Sequence, residues 1–236
     1  MGLRRLRGKE SRSIPLMNTT TPNVDLLVLS AFSPEYASFA LEWQALTTRG
    51  RKTSPLVRVE WEAVGIGILQ AAINATRILA SRKPARVVFL GTCGAFRGIR
   101  LAVGDVVVGT DVRMGDSAVV RGQAEWVGEV GDVRRMDDAG VGDLMASGAK
   151  PARIVTTLAI TTDDALAETL ADHLGADVEH LEASAVVASA ASFGIPCAVL
   201  LGVANEVGGE GRDQWRQNHV RASAEAGRVL LNSLAK

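Results

Sequence analysis

Six strand-length runs, separated by segments with helical spacing, constrain this 236-residue chain more than any other feature. Val24 to Ser30 (VDLLVLS), Ala85 to Leu90 (ARVVFL), Gly104 to Thr110 (GDVVVGT), Ile154 to Ile160 (IVTTLAI) and Pro196 to Val203 (PCAVLLGV) are mostly apolar. A strand buried on both faces reads that way, whereas a strand with one wet face alternates, as Leu56 to Val64 (LVRVEWEAV) does. After the first run, AFSPEYASFALEW offers Ser33 as an N-cap and Pro34 at the first helical position. After the alternating run, GIG turns into QAAINATRILASRK, rich in good helix formers. Thr162 to Gly175, Ala183 to Phe193 and Ala222 to Ala235 also read as helices. Strands alternating with helices predict an α/β fold with a mainly parallel central sheet covered on both faces. The length suits one large domain, and no repeat or linker divides it. That domain is expected over residues 24–236, after a disordered extension at 1–23 in which Met17 is a candidate start.

Charge and cysteine usage exclude several classes of function. Lys plus Arg and Asp plus Glu balance at 26 each, but Arg4, Arg5, Arg7, Lys9 and Arg12 face only Glu10 near the start. By this count the first dozen residues carry +4 and the rest −4. A mildly acidic body lacks the clustered cations that nucleic-acid binding requires. Cys93 and Cys197 are the only cysteines and have no CxxC or Cys/His neighbourhood, so zinc and a disulfide framework are unsupported. A reducing cytoplasm is the expected location. No apolar run reaches the ~18 residues of a membrane span, and the basic start leads into polar residues rather than a signal core. No metal or cofactor is expected.

In parallel sheets ligands bind beyond the carboxyl ends of the strands, so the polar residues just after each run are the candidate site. These are Glu35 after the first run, Gly65 to Gly67 after the second, Gly91 to Ala95 (GTCGA) after the third, and Asn205 after the last. Glu182, in HLEAS before the alanine-rich helix, joins them.

Five segments in this order resemble the nucleoside phosphorylase and nucleosidase superfamily, over roughly Val24 to the C-terminus. SAFSPE is similar to the family segment ending in a catalytic Glu, and VGIGILQAAINAT to its glycine turn and following helix. GTCGAF with LAVGDVVVGTDV resembles the central signature, HLEASAV the ribose motif, and LLGVANEV the strand that normally ends in Ser-Asp. The resemblance implies a three-layer α/β/α sandwich around a mixed, mainly parallel, partly barrel-like sheet. It also implies cleavage of an N-glycosidic bond by phosphate or water, and a homodimer or larger homo-oligomer.

Phosphate needs fixed cations, whereas water needs a base. The resembled phosphorylases carry an Arg three residues before the Ser or Thr of the central motif, where this chain has Phe89, and another in the first loop, where SPEYASF has none. Glu35 stands where nucleosidases keep the carboxylate that activates water, so hydrolysis is the expectation. By the same resemblance Glu182 would hold the ribose diol, beside Leu181 in place of the usual Met; the alternative is an ordinary acidic residue at a helix start. Asn205 replaces the Asp of adenine nucleosidases. An amide cannot supply a proton but can donate and accept hydrogen bonds, which suits a 6-oxopurine; the alternative is a degraded site.

EVGGEGRDQW after Asn205 resembles futalosine hydrolases, which release hypoxanthine in menaquinone synthesis. Arg212 would then meet the substrate's distal carboxylate, or else pair with Asp213. Gly67, Thr92, Cys93, Gly94, Ile160 and His180 complete the expected binding set, with Glu35 and Asn205 as the catalytic pair. Cys93 is read as a small buried residue rather than a reactive thiol, and His173 and His219 as solvated. Phe96 and Trp215 are candidates to stack on the base, since Ile160 and Thr161 occupy the region where the family places a Phe. The rival expectations are a methylthioadenosine/S-adenosylhomocysteine nucleosidase, a nucleoside phosphorylase, and a nucleoside-binding homologue without turnover.

Overall fold

The computed structural model describes residues 24–48, 58–136 and 138–235. The expected extension at 1–23 and the start of the alternating run, Leu56 and Val57, lie outside the described residues. The chain begins with strand β1 (Val24–Ser30), helix α1 (Ser33–Thr48), β2 (Val59–Ala63), α2 (Ile68–Arg82) and the long β3 (Pro84–Ala95). It continues through β4 (Val106–Met114), α3 (Ser117–Val120), β5 (Arg134–Arg135), α4 (Asp138–Met145), β6 (Lys150–Thr156) and α5 (Asp164–Leu174). It ends with β7 (Val178–His180), α6 (Ala183–Ser192), β8 (Cys197–Glu206) and α7 (Gly211–Leu234).

The sheet runs β2-β1-β3-β7-β6-β4-β5, and β8 closes it by pairing with both β3 and β4. Strands β3, β7, β6, β4 and β8 therefore form a ring, with β1 and β2 as an open flap. Pairings β1–β2, β1–β3, β3–β8, β4–β6 and β6–β7 are parallel. Pairings β3–β7, β4–β5 and β4–β8 are antiparallel, so the sheet is mixed and mainly parallel. Helices α1 and α4 pack on α7, and α2 packs on α6. Leu26, Leu27, Leu29, Phe89, Leu90, Leu200 and Leu201 are completely buried between these layers. Each contributes about 1.5–3 kcal/mol of burial, which is why the apolar runs locate the sheet so well.

Several boundaries differ from the sequence expectation. β3 does not stop at Leu90 but carries Gly91 to Ala95 in its last turns of pairing against β8, with a bulge between Cys93 and Gly94. β4 and β8 likewise run past their apolar cores, which puts Asn205 inside a strand. β6 begins at Lys150 and ends at Thr156, so Ile160 lies beyond the sheet. There Leu158 and Ile160 are exposed, which apolar composition alone cannot signal. α7 starts eleven residues earlier than expected, because its polar first half packs little apolar surface. Three-residue β7 is too short to show any periodicity. Among the described residues no helix is long and apolar enough to cross a membrane.

Candidate active site

The carboxyl ends of β1, β3, β7 and β8 meet the start of α7 around a cavity of about 310 Å³. Glu35, Thr92, Cys93, Gly94, Ile160, His180, Leu181, Glu182, Asn205 and Arg212 all line it. Of the expected catalytic and binding set Gly67 alone does not, and its N–H contacts Glu182 instead. These residues run from Glu35 to Arg212, and the ring of strands brings them together.

Glu35 sits in the first turn of α1 and is only 3% exposed. Its Oε2 accepts from the Ala31 N–H at 3.2 Å, and its Oε1 accepts from the N–H and hydroxyl of Thr92, each at 3.0 Å. The Trp215 indole N–H donates to the Thr92 hydroxyl at 3.1 Å. An indole nitrogen can only donate, so the hydroxyl accepts there and spends its own proton on Glu35. Burial pushes the Glu35 carboxyl up from 4.5 to about 8; the Glu182 charge adds to this, and the bonds from Thr92 and Ala31 oppose it.

Glu182 occupies the N-cap of α6, yet its side chain makes no capping bond there. It reaches α2 instead, where Oε1 accepts from the Gly67 N–H at 2.6 Å. Gly67 holds φ at +86°, a region that residues with a Cβ avoid, and this turns its N–H toward the carboxylate. This bond ties the carboxylate to the N-cap of α2 rather than to the start of its own helix. The His180 Nδ1 accepts from the backbone N–H groups of Glu182 at 3.0 Å and Ala183 at 3.2 Å. That nitrogen is therefore unprotonated, and its 3.3 Å approach to Glu182 Oε2 is not an ion pair. Burial holds the imidazole below its ordinary pKa against the pull of Glu182, in agreement with a neutral ring.

Asn205 donates through Nδ2 to the Glu206 carbonyl at 2.8 Å. A carbonyl can only accept, so the amide cannot be turned over, and one N–H together with Oδ1 remains for a ligand. A Cβ on Gly94 would lie 2.8 Å from this Nδ2, so only glycine leaves room for it. Cys93 is buried, and burial pushes its thiol up, as does the nearby Glu35 charge. It packs as a small apolar residue.

Arg212 is exposed at the start of α7, and Asp213 pairs with Arg216 at 2.8 Å rather than with Arg212. Arg212 is the only Arg or Lys lining the cavity among the described residues. Phe89 is wholly buried beneath the site, its ring edge-on to His180. Of the two stacking candidates, Trp215 lines the cavity, whereas Phe96 lies in a separate cluster with Val155, Leu170 and Val207. His219, expected in solvent, instead stacks on Trp215 with centroids 4.2 Å apart, because the early start of α7 places both on one helical face.

Ile66, within the expected Gly65 to Gly67 turn, and Thr161, beside Ile160, also line the cavity, as do Glu179, Phe32 and Thr162, which were not expected there. For Glu179 the one available signal is a charged residue directly before HLEAS, in the VEH segment that overlaps it. Among the described residues no group of His, Cys, Asp or Glu is arranged to hold a metal ion.

Comparison with known proteins places this geometry in a lineage. A 5′-methylthioadenosine/S-adenosylhomocysteine nucleosidase of Chromohalobacter salexigens is 27% identical over 187 residues, 73% of this chain and 77% of that protein. The crystal structure of the Helicobacter pylori enzyme of that name, complexed with a pyrrolopyrimidine-bearing pyrrolidinol, superposes at a TM-score of 0.76 and 14% identity, covering 90% of this chain and 98% of that one. A mutant futalosine hydrolase of Helicobacter pylori matches at 0.76 and 15% identity, over 89% and 98%. The family model described as the phosphorylase superfamily matches residues 46–235, from within α1 to the end of α7. With that match over most of its length, and with the fold around it, the chain belongs to the phosphorylase superfamily.

Proposed function

We propose that this protein hydrolyses the N-glycosidic bond of a purine nucleoside, and that its substrate is futalosine, released as hypoxanthine and dehypoxanthine futalosine. The observation that carries hydrolysis is Glu35: a buried carboxylate held by three donors, in a cavity where exposed Arg212 is the only Arg or Lys among the described residues. A dianionic phosphate would find little to neutralise it beside two further buried glutamates. Water needs only a base, and Glu35 in its ionised form supplies one.

In this reading Glu182 accepts hydrogen bonds from the ribose hydroxyls, which fixes C1′ above Glu35. As the C1′–N9 bond lengthens, the sugar gains oxocarbenium character, which the paired carboxylates stabilise. Glu35 takes a proton from the attacking water, and the oxygen bonds to C1′. The purine leaves with the bonding electrons, its charge eased by the free Asn205 N–H, and is then protonated from solvent. Asn205 cannot protonate N7, so the reaction favours a base that leaves well without that proton, as a 6-oxopurine does.

Arg212, exposed and without an ion pair among the described residues, is assigned to the carboxylate on the distal half of the substrate. Trp215 is assigned to the base or to closing the cavity over it. The relatives named for methylthioadenosine and S-adenosylhomocysteine favour an adenine nucleosidase as the second reading. Asn205 opposes it. A homodimer in the cytoplasm belongs to the same proposal, and the exposed Ile66, Leu69 and Ile73, beside the cavity and along α2, offer a second copy an apolar face. Sedimentation velocity decides it: a single 25 kDa species would remove the dimer.

Incubation with futalosine, inosine, methylthioadenosine and adenosine, each with and without phosphate, tests the assignment by the base released. Hypoxanthine from futalosine without phosphate is expected. Adenine release alone, or a strict phosphate requirement, would overturn it.

A further inference from the structure

The turn from β8 into α7 links two sides of the cavity. Asn205 lies on its strand side, Arg212 and Trp215 lie on its helix side, and all three line the cavity. Asn205 is fixed by the pairing of β8 with Gly94 of β3. Arg212 and Trp215 have no strand register to place them and depend on the path of the turn. That turn contains Gly208 and Gly209 in succession. Consecutive glycines give the backbone more freedom than any other pair, so a defined path here requires fastening from outside.

The fastening is ionic and lies away from the cavity. The Gly209 N–H donates to Asp164 Oδ1 at 2.9 Å. Asp164 stands in the first turn of α5, and its Oδ2 accepts from Arg97 Nη1 at 2.8 Å. The same guanidinium reaches Glu206 Oε2 through Nε at 3.3 Å. Arg97 follows the end of β3, so one side chain joins the ends of β3 and β8 to the carboxylate that holds the turn. Gly208, at φ +134°, sits directly against that carboxylate, and a Cβ there would overlap Asp164 Oδ1. The bonds from the Gly209 N–H and Arg97 hold the Asp164 carboxyl below its ordinary range, which keeps it ionised at neutral pH.

We propose that Arg97 is a positioning residue: its bridge between Asp164 and Glu206 fixes the β8–α7 turn, and through it sets Arg212 and Trp215 over the cavity. This rests on the reading of the cavity as a nucleosidase active site. Arg97, Asp164 and Glu206 are each about half exposed and do not line the cavity. Exposed ion pairs contribute little to global stability, so removing the bridge should loosen the turn without unfolding the chain. Glu35 is held by donors outside the turn, so the loss should fall on substrate binding more than on bond cleavage.

Three variants of the full chain test this. Arg97→Met keeps the aliphatic stem and removes the bridge, Arg97→Lys supplies a point charge in place of two separated N–H groups, and Asp164→Asn leaves an acceptor for the Gly209 N–H. Hydrogen exchange of residues 205–212, read by mass spectrometry, should quicken by about tenfold in Arg97→Met while β1 and β3 exchange as in the wild-type protein. With futalosine as substrate, KM should rise by about fivefold in Arg97→Met with kcat within about twofold, and Arg97→Lys should recover part of the loss. Asp164→Asn should have less effect on KM in the Arg97→Met background than alone, since both remove one bond. Unchanged exchange at residues 205–212 in Arg97→Met overturns the role of Arg97 whatever the substrate. Faster exchange with an unaltered KM, or with a loss confined to kcat, overturns the positioning of Arg212 and Trp215. If the wild-type protein does not cleave futalosine, the substrate reading falls, and the exchange result alone decides whether Arg97 holds the turn.

Discussion

Glu35 and the Glu179–Asn205 wall share one cavity, but they are held in different ways. Glu35 is gripped by the main-chain N–H groups of Ala31, one residue past β1, and of Thr92, which β3 holds opposite Gly202 of β8. Glu179 and Asn205 are each placed by one neighbour, Thr161 and the Glu206 carbonyl, and by the register of two strands against Gly94. A group tied to backbone donors keeps its geometry through most side-chain changes. Glu35 has three such bonds, two of them from the main chain, whereas Glu179 takes two from Thr161 and Asn205 makes one, so that end is more easily rewritten by single substitutions. On the proposed function, the bond-breaking end of the cavity is therefore the rigid part, and the base-selecting end the adjustable one.

The largest effect should come from the rigid end. Glu35→Gln keeps the shape and removes the base, so base release should fall by roughly 10²- to 10⁴-fold while substrate affinity changes little. Single-turnover kinetics beside equilibrium binding of the same nucleoside gives both numbers. A near-normal rate would move water activation elsewhere and erase the distinction between the two regions.

Next in size is the stability cost of burying Glu35. Its folded pKa, about 8, lies above the ordinary 4.5, so the folded state holds a proton that the unfolded state releases across that window. Stability should therefore fall as pH rises from about 4.5 to about 8, by up to about 1.4 kcal/mol per pH unit from this one group. Glu35→Gln should lose that slope, and denaturant titrations across the window would reveal it. Parallel pH profiles for the two proteins would show that the carboxyl titrates normally.

The adjustable end should respond in selectivity rather than rate. Asn205→Asp sets a carboxylate oxygen against the Glu206 carbonyl unless it takes up a proton, and once protonated it can donate to N7 of an adenine nucleoside. The ratio of kcat/KM for hypoxanthine and adenine nucleosides should shift toward adenine by about 1–3 kcal/mol. Equal losses on both substrates would show that residue 205 does not read the 6-position.

The smallest expected change lies where the two regions touch. Trp215→Phe deletes the indole donor and frees the Thr92 hydroxyl to turn from Glu35. Glu35 should then titrate at still higher pH, moving the alkaline rise of kcat/KM upward and lowering activity several-fold at neutral pH. An unmoved pH profile would mean that Trp215 only packs.

The contrast also explains what the sequence could and could not reveal. Strands β1, β3 and β8 were legible because burial on both faces demands continuous apolar residues, Glu35 and Asn205 because they follow such runs, and Glu182 because HLEAS stands directly before the alanine-rich helix. Glu179 was not, since its place depends on Gly94 pairing with two distant strands at once. The first half of α7 was hidden for a related reason: its polar residues face the cavity and solvent rather than the core, so Trp215 and His219 came together unannounced. The family match itself begins at residue 46, after Glu35, so the catalytic assignment of that residue rests on its cradle and on the SAFSPE resemblance.

The central claim, that Glu35 directs water to the sugar of a nucleoside, is tested most directly by turnover of futalosine in ¹⁸O-labelled water without phosphate. The account predicts free hypoxanthine and a sugar product carrying one ¹⁸O at C1′, at a rate that added phosphate does not raise. A sugar 1-phosphate, or no base release until phosphate is supplied, would contradict it.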